Sequence, residues 1–375
     1  MNDTEKLFFA LLRSGLWGEN PETAAFSPSA DDWKQILRIA REQTVSGVVA
    51  EGVARCPKGF VPKEVCFKLI AESEQIRGRN ATIGDVTIAL FGLFERAGIP
   101  VRLLKGQGVG DCYPTPQLRT PGDIDLFVRP EDYYASHSVL APLNPHDECD
   151  SPEKLHYSAW IKGAEVEIHG TVRTSLGRRV NDELDRMQRG LFLSGERRSF
   201  LCCGKDGEAA EIPLPSAGFD SVFIFTHIVQ HFFCSGIGLR QLCDWAEFLH
   251  RNRAALDGQA IAETVAKMGL RSEWESFMAF NVQYLGLPEE DAVASGPDRE
   301  AKAARIWKYM RKVGNFGKNR VRRDRSKDPY LIRKVESLFI NTENFINHLN
   351  VFPGDSVRFF WHYFTSGTSA VLKGR

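Results

Sequence analysis

Two aspartates separated by one residue, Asp123 and Asp125, are the strongest chemical signal in this sequence. In an extended strand both carboxylates would lie on one face, while Ile124, Leu126 and Val128 would face the core. Ionised carboxylates this close repel each other unless a proton or a cation neutralises them. Carboxylate oxygens suit Mg²⁺, and paired ions assist phosphoryl and nucleotidyl transfer. A solvated strand edge would carry the same two acids.

A second predicted strand supplies further acids. Glu165, Glu167 and His169 alternate with apolar residues and so share one face. A carboxylate from a neighbouring strand would complete the metal shell, and we predict Glu167 for that position, with Glu165 as the second choice. His169 would order the site or contact the substrate, although a lone strand histidine is more often a hydrogen-bonded structural residue.

The apolar run 98–104 leads into Lys105 and Gly106, which predicts a short strand that turns into a glycine-containing helix start. Backbone N–H groups at such a start can bind an anion, and Lys105 adds a positive charge beside them. A triphosphate would fit there. The alternative is an ordinary turn whose glycines only satisfy backbone geometry.

These residues resemble a bacterial family of largely uncharacterised nucleotidyltransferases, within the DNA polymerase β-like nucleotidyltransferase superfamily. The resemblance covers roughly residues 5 to 250 and is carried by Tyr113 and the segments 103–106, 118–126, 166–169, 227–232, 236–240 and 244–245. It implies metal-binding acids at Asp123 and Asp125 and a third acid at Glu167. Lys105 and Gly106 stand where the wider superfamily usually has a Gly-Ser pair that holds the nucleotide phosphates, so the chain departs from the pattern there.

The helical part of the sequence adds residues to this picture. His227 and His231 stand four residues apart and share a helix face. The resemblance implies that both face the catalytic cleft, together with Arg240 and Asp244. Arg119 and Arg240 are candidates for phosphate contacts because a guanidinium fork matches phosphate oxygens. Two alternatives stay open: a transition-metal hydrolase centred on His227, His231 and Asp244, and histidines that only pack in the core.

The resemblance implies an α+β fold with a small mixed β-sheet and helices on one side of it. An α-helical segment precedes this core and a large α-helical domain follows. The expected divisions are 1–78 for the N-terminal helical segment, 79–175 for the nucleotidyltransferase core, 176–215 for a connection that contains a β-hairpin, and 216–375 for the C-terminal helical domain.

The expected function is transfer of a nucleoside monophosphate from a nucleoside triphosphate to an acceptor hydroxyl, with release of pyrophosphate. Two Mg²⁺ ions are expected at Asp123, Asp125 and Glu167, with Mn²⁺ as an alternative. Small molecules, proteins and RNA could all supply the hydroxyl. A second possibility is a protein of the same fold that binds a nucleotide or sugar phosphate without turnover.

Composition narrows the partners and the compartment. Lysine plus arginine equals aspartate plus glutamate at 48 each, so no global field attracts nucleic acid, and nucleic acid is not the favoured partner. The start of the sequence lacks a secretory signal pattern and no apolar stretch is long enough to span a bilayer, so a cytoplasmic protein is expected. The 8 scattered cysteines favour reduced thiols over a disulfide framework.

Helical periodicity covers 5–16, 31–55 and 62–97, and Ser29 or Asp31 is a candidate cap for the second of these. Weak alternation over 196–214 suggests a hairpin, and helical patterns follow from 216.

Two segments carry unassigned patterns. Basic residues dominate 299–334, with interleaved aromatics that could grip a polyanion or a membrane surface, although a solvated surface is the commoner outcome. The aromatic stretch 357–364 fits a buried terminal helix, with a membrane-surface or dimer role as the minority alternative.

Overall fold

The computed structural model describes residues 1–143, 149–151, 155–192, 198–294, 296, 300–315 and 345–359. Helices precede and follow a small sheet. The α-helices are α1 (Asp3–Trp17), α2 (Ala30–Glu42), α3 (Ser46–Ala54), α4 (Lys63–Arg96), α5 (Gly106–Gly110), α6 (Tyr133–Leu140), α7 (Arg178–Gln188), α8 (Ala217–Cys234), α9 (Leu239–Asn252), α10 (Gly258–Met268), α11 (Arg271–Phe280) and α12 (Glu300–Val313). Residues 345–349 and 353–359 are helical as well.

The strands form one sheet of five strands and a separate hairpin. They are β1 (Val101–Leu104), β2 (Ile124–Val128), β3 (Cys149–Ser151), β4 (His156–Ile161), β5 (Ala164–His169), β6 (Arg198–Cys203) and β7 (Ala209–Leu214). In the larger sheet the order is β1-β2-β5-β4-β3, and only β2 and β5 run parallel. This is the mixed sheet of an α+β protein, as predicted. The hairpin expected in 196–214 consists of β6 and β7.

The helices α1, α2 and α4 begin within two residues of the predicted starts, but the helical stretch predicted over 31–55 is divided. Residues 43–45 separate α2 from α3, and Thr44 among them has a positive φ of 54°. Ser29 caps α2: its hydroxyl accepts from the Asp32 N–H at 3.2 Å, while the Asp32 carboxylate accepts from the Ser29 N–H at 2.8 Å. The long helix α4 continues unbroken past residue 78, where the sequence analysis placed a domain boundary. The domain division stays a prediction.

The two faces of the five-stranded sheet differ as the alternation predicts. Ile124, Leu126 and Val166 are fully buried on one face, where they share a hydrophobic core with α4, α6 and the β6–β7 hairpin. The opposite face carries Asp125 and Glu167, which are paired across β2 and β5. Apolar burial therefore fixes which face the acids occupy, because a strand cannot slip by one residue without turning its whole apolar set to solvent.

A two-residue turn sets the register of β4 and β5. Lys162 and Gly163 both have positive φ, 48° and 84°, as the tight turns of hairpins require. The turn pairs Ile161 with Ala164 and, five residues further along each strand, His156 with His169.

The N-terminal and C-terminal helices share a second hydrophobic core. Within it Trp245, Trp274 and Phe225 pack edge-on or tilted against one another. Within the described part of the chain, no helix combines the length and the apolar character needed to cross a membrane. The cysteines whose side chains are described are free thiols. Most of the basic segment 299–334, from 316 onward, and the aromatic residues 360–364 lie outside the described residues.

A close approach between α3 and the segment before β2 gives a stability prediction. A Cβ atom on Gly47 would lie 2.1 Å from the carbonyl oxygen of Leu118, so Gly47→Ala forces two backbones apart. We expect a loss of about 1–3 kcal/mol in the free energy of unfolding, measured by urea denaturation. The matched control is Gly78→Ala in α4, where nothing lies within 4 Å, and it should stabilise the protein. Equal effects would contradict the packing.

Candidate active site

Three carboxylates meet on the polar face of the sheet. Asp123 directly precedes β2, and Asp125 lies opposite Glu167 in the parallel pairing of β2 with β5. One oxygen from each of the three lies within 4.8 Å of the others. The structure therefore brings together the three acids that the sequence singles out. Glu165, the second choice for the third acid, is exposed and lies outside this group.

Two cationic side chains contact this carboxylate group. The Lys105 ammonium lies 3.1 Å from Asp125 Oδ2, and the His169 Nε2 lies 2.9 Å from Asp125 Oδ1. His169 Nε2 is also 3.3 Å from Glu167 Oε2. Both oxygens of the buried Asp125 are thus paired, and the predicted ordering role of His169 corresponds to these two contacts.

The pKa values follow from this crowding. The negative charge of Asp125, followed by burial, raises the pKa of Asp123. Burial opposes ionisation of Asp125, but Lys105 and His169 outweigh it and the net pKa is lowered. Burial likewise acts against the imidazolium form of His169, yet hydrogen bonds to Asp125 and Glu167 raise its pKa to about 9. Lys105 and His169 thus neutralise much of the negative charge at this site. Asp123 is neutralised less than Asp125, because its pKa is raised whereas that of Asp125 is lowered.

Lys105 occupies an unusual backbone position. Its φ is +49° and that of Gly106 is +50°. A lysine in this region of φ costs free energy that the surrounding structure must supply, and such residues concentrate at functional sites. The turn packs against Asp123, because a Cβ on Gly106 would lie 3.5 Å from the Asp123 carbonyl oxygen. It therefore aims the Lys105 ammonium at the acids.

Helix α8 faces the sheet across the cleft. The Lys105 ammonium donates to His227 Nδ1 at 3.3 Å. Because an ammonium can only donate, Nδ1 carries no proton in this contact. Burial, and then the charge of Lys105, lower the pKa of His227 well below its usual value and that of His231 to about 4. His231 Nδ1 lies 3.0 Å from the Ser235 hydroxyl.

The metal-hydrolase alternative finds no ligand group. In the described residues, the groups of three metal-ligating side chains are Asp123, Asp125, Glu167 and His156, Glu167, His169. Neither includes His227, His231 or Asp244. The physical reason is that the Asp244 carboxylate is paired with Arg119 and so does not turn toward the two histidines.

Asp244 holds the segment before β2 against α9. Arg119 donates from Nε and Nη2 to the two carboxylate oxygens of Asp244, both at 2.7 Å, and the Tyr113 hydroxyl donates to Oδ1 at 2.7 Å. Arg119 is 6% exposed and Asp244 is 8% exposed. Burial opposes charge on Arg119, but Asp244 outweighs it and the net pKa is raised. The guanidinium fork that the sequence analysis assigned to phosphate thus binds a carboxylate.

Arg240 lies closer to the acids. Its Nη1 donates to the carbonyl oxygens of Thr120 and Pro121 at 3.1 and 3.2 Å, and a Cβ on Gly122 would lie 3.4 Å from that nitrogen. Its buried Nε has no hydrogen-bond partner among the described residues. Burial, and then the charge of Arg119, lower its pKa. An anion bound beside Arg240 would accept a hydrogen bond from this Nε, and its negative charge would raise the pKa of the guanidinium.

Apart from Glu165, the residues that the sequence predicts for the site line one cleft of about 980 Å³: Lys105, Gly106, Arg119, Asp123, Asp125, Glu167, His169, His227, His231, Arg240 and Asp244. The cleft also has walls that the sequence analysis missed. His156 on β4 reaches Glu167, and polar residues of the loop after β5 and of α7 also line the cleft: Thr171, Arg173, Thr174, Ser175, Asn181, Asp185, Gln188 and Arg189.

Comparisons with known proteins follow this geometry. A model of a family described as uncharacterised nucleotidyltransferase matches residues 29–286. None of the curated proteins matches the chain. Among solved structures, the chain is similar to the CCA-adding enzyme of Thermotoga maritima complexed with tRNA, at 11% identity over 81% of this chain and 79% of that one, with a TM-score of 0.20. So low a TM-score carries no argument about fold or activity.

The Asp244 pair gives a stability prediction. Asp244→Ala leaves a buried guanidinium without its partner and should lower the free energy of unfolding by about 3–5 kcal/mol, measured by urea denaturation. Arg119→Met in the same chain should recover much of that loss. The control is Asp185→Ala, which breaks a pair with Arg173 that is 59% exposed on the arginine side, and which should cost about 1 kcal/mol or less. Similar losses in both would contradict the account.

A buried acid in α9 predicts how stability varies with pH. Burial, and then the charge of Asp244, raise the pKa of Glu247 from 4.5 to about 9. Between these values the unfolded chain binds fewer protons than the folded one, so this group makes the free energy of unfolding fall as pH rises. Glu247→Gln should flatten that slope and stabilise the protein at about pH 8. The exposed Glu95→Gln serves as control, and an unchanged slope in Glu247→Gln would refute the assignment.

Proposed function

The chain belongs to this family of uncharacterised nucleotidyltransferases, and we propose that it transfers a nucleoside monophosphate from a nucleoside triphosphate to an acceptor hydroxyl, releasing pyrophosphate. The observation that carries the proposal is the convergence of Asp123, Asp125 and Glu167 within 4.8 Å of one another in the lining of the cleft.

The donor set fits divalent Mg²⁺, or Mn²⁺ in its place. Mg²⁺ prefers oxygen ligands and is usually held by one or two carboxylates, with water and phosphate oxygens completing its shell. Asp123 and Asp125 would hold two ions and Glu167 would hold the one nearer the acceptor. Bound there, the ions would neutralise the charge that develops on the attacking and leaving oxygens.

The raised pKa of Asp123 supports this fit. Three acids on one sheet face repel each other, and Asp123 is the member whose pKa their mutual charge raises. A divalent cation bound beside Asp123 would neutralise this carboxylate, whereas the charge of Lys105 alone does not offset that of Asp125. Binding of the cation should release the Lys105 ammonium from Asp125.

Lys105 would then be placed for the triphosphate. Its ammonium sits between Asp125 and His227, at the head of a turn whose backbone packs on Asp123. Arg240 is the second candidate, because its guanidinium lies beside Gly122 and its buried Nε lacks a partner in the described residues. A phosphate oxygen between the two would receive charge-assisted hydrogen bonds.

We propose that Glu167 takes the proton of the acceptor. Its Oε2 lies 3.3 Å from both His156 and His169, and their hydrogen bonds lower its pKa although burial opposes this. These contacts hold the carboxylate facing the cleft and stabilise its ionised form. His169 would therefore act as a positioning residue through Glu167 and Asp125.

The cleft is large enough for both substrates. Ligand pockets are commonly about 300–1,000 Å³, and this one is about 980 Å³. Its lining includes the acids and also the hydroxyl and amide side chains of Thr174, Ser175 and Asn181. We propose that the nucleotide takes the side of Lys105 and the acceptor takes the side of α7. Charge and shape leave small molecules, proteins and RNA as possible acceptors.

Transfer of label tests the proposal. With Mg²⁺, the α-phosphate label of at least one nucleoside triphosphate should move to an acceptor in small-molecule, RNA or protein fractions of a cell extract, whereas a γ-phosphate label should leave as pyrophosphate. Asp123→Asn, Asp125→Asn and Glu167→Gln should each lower this rate by about three orders of magnitude, because each removes a metal ligand.

The matched control is Glu165→Gln, two residues from Glu167 on the same strand face but outside the carboxylate group. It should retain near-normal transfer. Saturable nucleotide binding with no pyrophosphate released from any fraction would favour the non-catalytic alternative. Near-normal transfer in Asp123→Asn would contradict the metal assignment.

A further inference from the structure

A second group of metal-ligating side chains overlaps the carboxylate site. It consists of His156, His169 and Glu167, and its ligand atoms lie within 4.8 Å of one another. His156 and His169 are directly opposite each other on the antiparallel strands β4 and β5, and Glu167 precedes His169 by two residues on the same face. Side chains so paired converge on one point above the sheet.

The distances in this group match a transition-metal centre. His156 Nε2 and His169 Nε2 each lie 3.3 Å from Glu167 Oε2. Ligand bonds of about 2.0–2.1 Å at tetrahedral angles place neighbouring ligand atoms about 3.3–3.4 Å apart. The side chains could therefore take up an ion with little movement of the backbone.

The ligand types separate this group from the carboxylate group. Imidazole nitrogens bind Zn²⁺ and its neighbours among the transition metals far better than they bind Mg²⁺, which prefers oxygen. Two histidines and one carboxylate form the ligand set of several zinc sites that keep a fourth position open. All three side chains line the cleft.

We propose that His156, His169 and Glu167 bind a transition-metal ion of the Zn²⁺ class, at a position distinct from the ion pair at Asp123 and Asp125. Because the two groups share Glu167, the transition metal and Mg²⁺ compete for that carboxylate. The competition rests on the proposed function, whereas binding of the transition metal does not.

The site is reachable and its neighbours are compatible with a metal. The side chains of His156, Glu167 and His169 are 31%, 24% and 15% exposed, and all three line the cleft. Binding would replace the contact between His169 Nε2 and Asp125 Oδ1, now 2.9 Å long. Asp125 would then be close enough to approach the ion itself, and Lys105 would still neutralise its other oxygen.

The test measures metal binding directly, without nucleotide. The purified full-length chain, freed of metal by chelation and dialysis, is titrated with Zn²⁺ against a chromophoric chelator. Co²⁺, titrated separately, reports geometry through its visible absorption. We expect one ion per chain with the intense spectrum of low-coordinate Co²⁺. His156→Gln should lower the affinity by about a hundredfold or more.

Two further variants place the ion. Asp123→Asn removes a member of the carboxylate group only and should retain Zn²⁺ binding. His250→Gln alters a histidine that pairs with Asp291 away from the cleft and should change nothing. Thermal unfolding with and without Zn²⁺ shows whether each variant is folded, since an ion that binds the folded chain raises the melting temperature.

Three results would overturn the inference: no stoichiometric binding to the parent chain, binding lost in Asp123→Asn but kept in folded His156→Gln, or an octahedral Co²⁺ spectrum. Weakening of Zn²⁺ binding by excess Mg²⁺ supports the shared carboxylate, and its absence contradicts that sharing. A failure here leaves nucleotidyl transfer untouched, and a chain that binds Zn²⁺ but transfers no nucleotide would retain this site.

Discussion

Repulsion among three carboxylates held on one sheet face is the constraint on which the site depends. The parallel pairing of β2 with β5 places Asp125 opposite Glu167, and burial of the apolar residues between them prevents either strand from slipping. Lys105 and His169 neutralise the group in the absence of metal. The same concentration of negative charge that requires these cations is what the proposed divalent ions would neutralise.

The helical part of the molecule completes the cleft through buried polar contacts. The pair between Arg119 and Asp244 ties α9 to the segment that leads into β2, and the contact between Lys105 and His227 joins α8 to the turn beside the acids. Both contacts connect residues more than a hundred positions apart. Movement of these helices relative to the sheet would therefore be felt at Asp123 and at the proposed phosphate site.

Much of the site could be predicted from local pattern, because the period of two in a strand assigns Asp123, Asp125 and Glu167 to one face. Contacts between distant residues could not. Arg119 has the chemistry of a phosphate ligand, and only the packing of α9 shows that it binds Asp244. The sequence signal for His156 is the two-residue turn at Lys162 and Gly163, because that turn fixes the pairing of His156 with His169. The domain boundaries stay predictions.

A crystal structure with Mg²⁺ and a non-hydrolysable nucleoside triphosphate tests the central claim most directly. The account predicts two ions between the triphosphate and Asp123 and Asp125, Glu167 on the ion farther from the leaving group, and the Lys105 ammonium moved from Asp125 to a phosphate oxygen. A triphosphate bound elsewhere in the cleft, with no ion at the acids and the contact between Lys105 and Asp125 unchanged, would contradict it.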